Sequence, residues 1–202
     1  MKVYVVRTGA ANLASMQAGL RRAGAEPELG EDPEKIRTAE RVVLPGVGAL
    51  GETRARLDGL GISEALAERA RSGRSMFSVC LGLQLLLTSS EESPGVPGLG
   101  VISGEAKRFP SEVRVPQLGW NRVEAPEGAR YLESGEMYFA NSFRLLELSE
   151  GLEWKVAWAD HGGRFVAGFE RGGLLACQFH PELSGPVGGR ILERWLKESP
   201  RC

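Results

Sequence analysis

The sequence predicts an α/β fold: an open, mixed, mostly parallel sheet flanked by helices, with antiparallel strands added in the second half. Three observations predict it. In the first half, short β-branched runs alternate with segments of helical periodicity, which requires right-handed crossovers and a parallel sheet covered on both faces. In the second half, six short strand candidates follow one another with few helical patterns between them. A single amphipathic segment closes the chain. The 202 residues contain no internal repeat, low-complexity tract or Ser/Gly linker, so residues 1–202 read as one domain.

The elements follow in order. Val3 to Val6 is a buried-strand run. Leu13, Met16, Gln17 and Leu20 recur at helical spacing, with Asn12 as N-cap and Gly24 just past the end. Asp32-Pro33 reads as an N-cap followed by Pro at the first helical position. Val42 to Leu44 is a second strand, stopped by Pro45-Gly46. Ser63 caps a helix through Ala70 that ends at Gly73. Met76 to Val79 is a third strand and runs directly into Cys80-Leu81-Gly82-Leu83-Gln84. Ser93 to Gly98 is a loop where the two patterns meet. The later strands are Val101-Ile102, Asn121 to Val123, Tyr138 to Phe143, Lys155 to Ala159, Arg164 to Phe169 and Leu174 to Phe179, expected to extend the same sheet. Ile191, Leu192, Trp195 and Leu196 form one face of the closing helix.

Composition narrows the function classes. Apolar residues are 42% and charged residues 25%, as in an ordinary globular protein. Lys plus Arg is 25 against 26 Asp plus Glu, a net charge of -1, which argues against a nucleic-acid partner. The longest apolar-rich stretch, Met76 to Leu87, is shorter than the ~20 residues a membrane span needs. The N-terminus has no apolar core of signal-peptide length, so a cytoplasmic location is expected. Cys80, Cys177 and Cys202, with only His161 and His180 beside them, make neither a disulfide framework nor a zinc spacing; no metal and no cofactor is expected.

The chemistry centres on Cys80. It lies between an apolar strand and an apolar helix, with small residues at Ser78 and Gly82. A nucleophile on such a turn is exposed at the carboxyl end of the sheet, and the helix N-terminus favours its thiolate. At Cys80 taken alone, a buried structural cysteine is the ordinary reading. His180 alters the balance. It follows a strand, in Gln178-Phe179-His180-Pro181-Glu182, and His-x-Glu across a Pro sets a carboxylate beside the imidazole. Nucleophile, base and orienting acid then appear in the order Cys80, His180, Glu182. His161, in Asp160-His161-Gly162-Gly163, reads as a hairpin tip. Pro45-Gly46-Val47-Gly48 by itself is an ordinary strand-ending turn.

Cys80-Leu-Gly-Leu-Gln84 and Phe179-His180-Pro181-Glu182, 100 residues apart from Cys80 to His180, resemble the class I, triad-type glutamine amidotransferases, whose fold is flavodoxin-like. Pro45 to Ala49, Gln117 to Asn121, Tyr138 to Phe143 and His180 to Gly185 look like the glutaminase subunit family of imidazole glycerol phosphate synthase, and the resemblance covers essentially the whole chain. It implies a glutaminase of histidine biosynthesis whose ammonia passes to a (β/α)8-barrel cyclase subunit in a 1:1 heterodimer. It also implies roles. Cys80 attacks the glutamine amide and forms a thioester, His180 moves the protons and Glu182 orients His180. Gly46, Val47 and Gly48, with Leu81, supply the oxyanion donors and the gating element. Gln84, Glu92, Ser142 and Phe143 hold glutamine, although Glu91 can be aligned in place of Glu92. Gly9, Asn12, Trp120 and Leu183 fall at the partner interface. The related glutaminase of pyridoxal phosphate synthase has Pro-Gly-Gly-Glu and Cys-Ala-Gly at the matching places, and neither is found here. The alternative of a glutaminase-like subunit that only binds its partner or a regulatory ligand sits poorly with three triad residue types in order.

Departures from the family pattern are local. Ser78 stands where Gly is usual, so the turn must accommodate a side chain. Arg7-Thr8-Gly9-Ala10-Ala11-Asn12 keeps only Gly9 and Asn12 of the family's N-terminal loop. Asn141 and Phe143 replace His and Tyr, and Leu183 replaces a Lys expected to face the barrel. None of them touches the triad.

Overall fold

The computed structural model describes residues 1–9, 12–148 and 154–197. The first half contains β1 (Lys2–Val6), α1 (Leu13–Arg22), β2 (Glu26–Gly30), α2 (Pro33–Thr38), β3 (Val42–Gly46), α3 (Leu50–Gly59), α4 (Ser63–Arg71), β4 (Met76–Cys80) and α5 (Leu81–Leu85). The second contains β5 (Leu87–Ser90), β6 (Ile102–Arg108), β7 (Gln117–Val123), β8 (Gly135–Asn141), β9 (Phe143–Leu145), β10 (Lys155–Asp160), β11 (Arg164–Arg171), β12 (Leu174–Cys177) and α6 (Gly185–Lys197).

Seven strands form the main sheet in the order β10-β11-β12-β4-β3-β1-β2. The five strands from β12 to β2 run parallel, and β11 and β10 add an antiparallel edge. Strand alternation sorts side chains onto two cores. Tyr4, Val6, Val42, Leu44 and Met76 pack with Ile36, Leu50, Leu57 and Leu66 of α2, α3 and α4. Val3, Val5, Val43, Phe77 and Val79 pack with Met16 and Leu20 of α1 and with Ile191, Leu192 and Trp195 of α6. A strand buried on both faces has apolar residues at successive positions, which is why β1, β3 and β4 read as continuous apolar runs.

The caps follow local chemistry. Asn12 Oδ1 accepts the Ser15 N–H at 3.2 Å at the start of α1. Asp32 Oδ1 accepts the Glu34 N–H at 2.8 Å, with Pro33 opening α2. Ser63 corrects an expectation. The N-cap of α4 is Ile62, and the Ser63 hydroxyl instead donates to Asp58 Oδ1 at 2.6 Å. A second correction concerns Pro45-Gly46, which continues β3 to its end and pairs with Val79 and Cys80. β2 and α3 had no counterpart in the sequence pattern. The later strands also do not all extend the main sheet: β5-β6-β9 and β7-β8 form two small sheets of their own. Loop 93–98 and the hairpin carrying His161 lie where the sequence placed them. No described helix is long and apolar enough to cross a membrane.

This topology positions the chemistry. Gly46 at the end of β3 pairs with Cys80 at the end of β4, and on the other side Val79 pairs with Cys177 at the end of β12. Three adjacent strands thus deliver their carboxyl ends to one place, the crevice where open α/β sheets carry their sites.

Candidate active site

Cys80 makes the turn from β4 into α5 with φ 55 and ψ -110. It is the one non-glycine residue with positive φ among those described. Such a conformation costs ~1–3 kcal/mol and persists only when its surroundings enforce it. Two glycines do so. A Cβ on Gly82 would lie 2.1 Å from the Leu44 carbonyl oxygen, and one on Gly46 would lie 2.9 Å from the Leu81 Cβ. α5 can therefore start directly against β3, with Leu81 as its first residue. Ser78 does not sit in the turn, contrary to expectation. It lies within β4, fully buried, with its hydroxyl unpartnered.

His180 follows β12 after Gln178 and Phe179. Its backbone N–H donates to the Tyr138 carbonyl at 2.9 Å, and its carbonyl accepts the Ser184 hydroxyl at 2.6 Å. The same hydroxyl accepts the Tyr138 N–H at 3.0 Å, which ties the His180 segment to β8. His180 Nδ1 and Glu182 Oε1 are 3.0 Å apart, both side chains being buried. Glu182 sits on a short 3₁₀ turn, Pro181–Leu183, held from behind by α1: the Arg22 guanidinium donates to its carbonyl at 3.1 Å, and Gly19 presses against its Cβ. Burial lowers the imidazole pKa, but hydrogen bonding with Cys80 and Glu182 and the charge of both outweigh it, raising the pKa from 6.5 to about 10. His180 Nε2 is buried and makes no protein hydrogen bond of full geometry, which leaves it for the thiol side of the site. Cys177 behaves differently: burial first, then the nearby Glu170 and Glu182, push its thiol well up, which disfavours its thiolate.

Beside Cys80 lies a cavity of about 130 Å³ lined by Val47, Gly48, Leu81, Gln84, Glu92, Ala140, Asn141, Ser142 and Phe143. Every substrate residue expected from the sequence lines it. Glu92, rather than Glu91, faces the cavity; Glu92 Oε2 also accepts the Leu50 N–H at 2.6 Å, while Glu91 is used on the Arg108 N–H. Of the residues expected to supply oxyanion donors, Val47, Gly48 and Leu81 line the cavity and Gly46 backs the turn. Gly48 has φ 99, a conformation that only glycine adopts readily. The expected interface residues divide into two groups. Trp120 and Leu183 are large apolar side chains left 57% and 37% exposed, the Trp120 ring lying beside Gly185; Leu118, which the sequence did not single out, is exposed too, at 60%. Asn12 is used as the α1 cap, and Gly9 packs on Arg56. Ala10, Ala11 and Cys202 lie outside the described residues.

Sequence reasoning missed Ala140, Gln178 and Ser184, and gave Asn141 no part in the pocket. Gln178 had a signal, since a polar residue directly after an apolar parallel strand needs a buried partner.

With this geometry established, the relatives fall into place. The glutamine amidotransferase class-I family model matches residues 22–198, and the chain belongs to this family. A solved glutamine amidotransferase shares the fold with a TM-score of 0.77 at 24% identity, covering 96% of this chain and 97% of the other. Within the family the chain groups with the HisH subunits of imidazole glycerol phosphate synthase. It is 38% identical to that of Moorella thermoacetica, over 96% of this chain and 93% of the relative. It is 36% identical to that of Methanothermobacter thermautotrophicus, over 96% and 98%. The chloroplastic imidazole glycerol phosphate synthase hisHF of Arabidopsis thaliana is 37% identical over 96% of this chain, which spans 34% of that longer protein.

Proposed function

We propose that this chain hydrolyses glutamine to glutamate and ammonia through a Cys80 thioester. Its ammonia would pass to a (β/α)8 cyclase subunit, which forms imidazole glycerol phosphate and aminoimidazole carboxamide ribonucleotide in histidine biosynthesis. The observation that carries the reading is the strained Cys80 turn, placed beside the buried His180–Glu182 pair and lining a cavity that Gln84, Glu92, Ser142 and Phe143 also line. The thiolate of Cys80 attacks the side-chain amide. Leu81 N–H, at the N-terminus of α5, and backbone N–H groups of the Gly46 to Gly48 strand meet the developing oxyanion, each such donor worth ~2.7–4 kcal/mol. His180, held protonated by its neighbours, gives its proton to the departing ammonia and then activates the water that releases glutamate. Glu182 fixes the imidazole orientation and stabilises its charge. Gln84, Glu92 and the Ser142-Phe143 backbone hold the amino-acid end. The apolar face of Leu118, Trp120 and Leu183 supplies the docking surface for the barrel in a 1:1 complex. Its likeness to the two HisH subunits over nearly their full length supports this assignment.

A diazo-ketone glutamine analogue tests the reading. It should alkylate Cys80 with one equivalent and abolish glutamate release, and glutamine should protect. Label on Cys177, or none on Cys80, would overturn the proposal.

A further inference from the structure

The environment of the Cys80 sulfur contains a group that the triad does not use. Gln178 is fully buried directly after β12, with its backbone N–H donated to the Ala167 carbonyl at 2.8 Å. Its side-chain Nε2 lies 3.6 Å from Cys80 Sγ, within the longer reach of a hydrogen bond to sulfur. Its Oε1 accepts Gln84 Nε2 at 2.9 Å.

Which end of this amide faces the sulfur can be settled by hydrogen-bond logic. Gln84 approaches the Phe143 carbonyl at 3.2 Å, and a carbonyl only accepts, so the Gln84 atom there is its NH2. That NH2 also meets Gln178, so the end of Gln178 facing it is the oxygen. The remaining end, turned to Cys80, is then the NH2 donor. A backbone carbonyl thus fixes the polarity of two successive amides and aims an N–H at the nucleophile. Asn141 Nδ2 donates to the same Phe143 carbonyl at 3.0 Å and holds the anchor in place.

We infer that Gln178 is a second hydrogen-bond donor to the Cys80 sulfur, opposite in role to His180: it positions and stabilises the thiolate and transfers no proton. A donor aimed at sulfur favours the anion over the neutral thiol. Because the donor is held by Gln84, which lines the glutamine cavity, the nucleophile and the substrate contact share one chain of hydrogen bonds. The other titratable groups facing Cys80 are His180, its partner Glu182 and Glu92 across the cavity; a change at Gln178 leaves all three in place.

This inference rests on Cys80 being the nucleophile, and its test reads the thiol independently of glutamine. In the complex with the barrel, Gln178→Met keeps length and bulk and removes the donor. The rate of Cys80 alkylation by iodoacetamide, followed against pH, should show its midpoint moved upward by about one pH unit. Glutamine-dependent kcat should fall about tenfold to a hundredfold, the loss expected for a hydrogen bond to a charged group, with KM within about twofold. Ammonia-dependent ring closure should stay unchanged, which shows that the variant folds and docks. Gln178→Asn, which withdraws the amide by one methylene, should shift the midpoint in the same direction by less, and it serves in place of the Met variant if that one does not assemble. An unmoved alkylation midpoint in the assembled variant overturns the inference, whatever happens to kcat. A wild-type chain that alkylates normally and hydrolyses no glutamine would instead overturn the functional reading.

Discussion

Gly19→Ala separates the catalytic importance of the Glu182 position from fold stability. Gly19 faces the Pro181–Leu183 turn from α1. An added Cβ would lie 2.8 Å from the Glu182 Cβ, 3.2 Å from its Cα and 3.3 Å from Leu192 Cδ1. Carbon atoms pack at about 3.5–4.0 Å, so the turn must retreat by roughly half an ångström or more. On stability, two effects oppose each other. Ala in a helix interior gains ~1 kcal/mol over Gly, and overpacking costs ~1–3 kcal/mol, leaving a net loss of about 0–2 kcal/mol, a few degrees in Tm. Catalysis has no such compensation. Glu182 Oε1 stands 3.0 Å from His180 Nδ1. Misplacement by 1 Å costs up to ~10²-fold, so half that displacement should lower kcat about tenfold. The assay is glutamate release by the complex with barrel and nucleotide ligand, beside thermal unfolding. Gly59→Ala, where an added Cβ meets nothing within 4 Å, is the control and should leave kcat unchanged. Wild-type kcat in Gly19→Ala would refute the claim that α1 holds Glu182 in place against His180.

Two further predictions concern pH and gating. The His180 pKa is raised in the folded chain, so the stability its protonation contributes is complete below about 6.5 and is lost as pH rises through about 10. The alkaline limb of glutamine kcat/KM should accordingly lie near pH 10, and Glu182→Gln, which removes part of the support, should move it downward. Glu182→Gln should also cost less kcat than His180→Ala, and the double change much less than the sum; a wild-type limb near 6.5, or additive losses, would contradict the buried pair. The chain alone should release glutamate very slowly, and barrel plus nucleotide ligand should raise turnover at least ~100-fold. Gly48→Pro should abolish that stimulation without preventing complex formation, because proline fixes φ near -65° where Gly48, just past β3, has 99, and deletes an N–H donor. Equal rates under all three conditions would contradict gating at this strand.

The sequence revealed what local periodicity and order along the chain can carry. β1, β3 and β4 are continuous apolar runs because both faces are buried, and the apolar faces of α1 and α6 repeat at helical spacing. β2 was illegible for the opposite reason: Glu26-Pro-Glu-Leu-Gly30 is a half-exposed edge strand with no apolar run. α3 was hidden by its polar surface and by the Gly-rich turn before it, and its start is stabilised from a distance by Glu92 and Ser93. Cys80, His180 and Glu182 stood out by type and order, whereas the contacts that hold them are tertiary. Gly19 behind Glu182, Ser184 between His180 and Tyr138, and Gln178 at the sulfur join segments far apart in sequence. The separate β7-β8 and β5-β6-β9 sheets were missed because alternation places a strand in a sheet without saying which one.

The central claim is that Cys80, rather than another cysteine, is the nucleophile of the amide hydrolysis. The most direct measurement is ring closure by the assembled complex carrying Cys80→Ala, with glutamine or with ammonium salt as nitrogen source. The glutamine-dependent reaction should be lost and the ammonia-dependent one retained, and Cys177→Ala should retain both. Glutamine-dependent turnover in Cys80→Ala near the wild-type rate would contradict it.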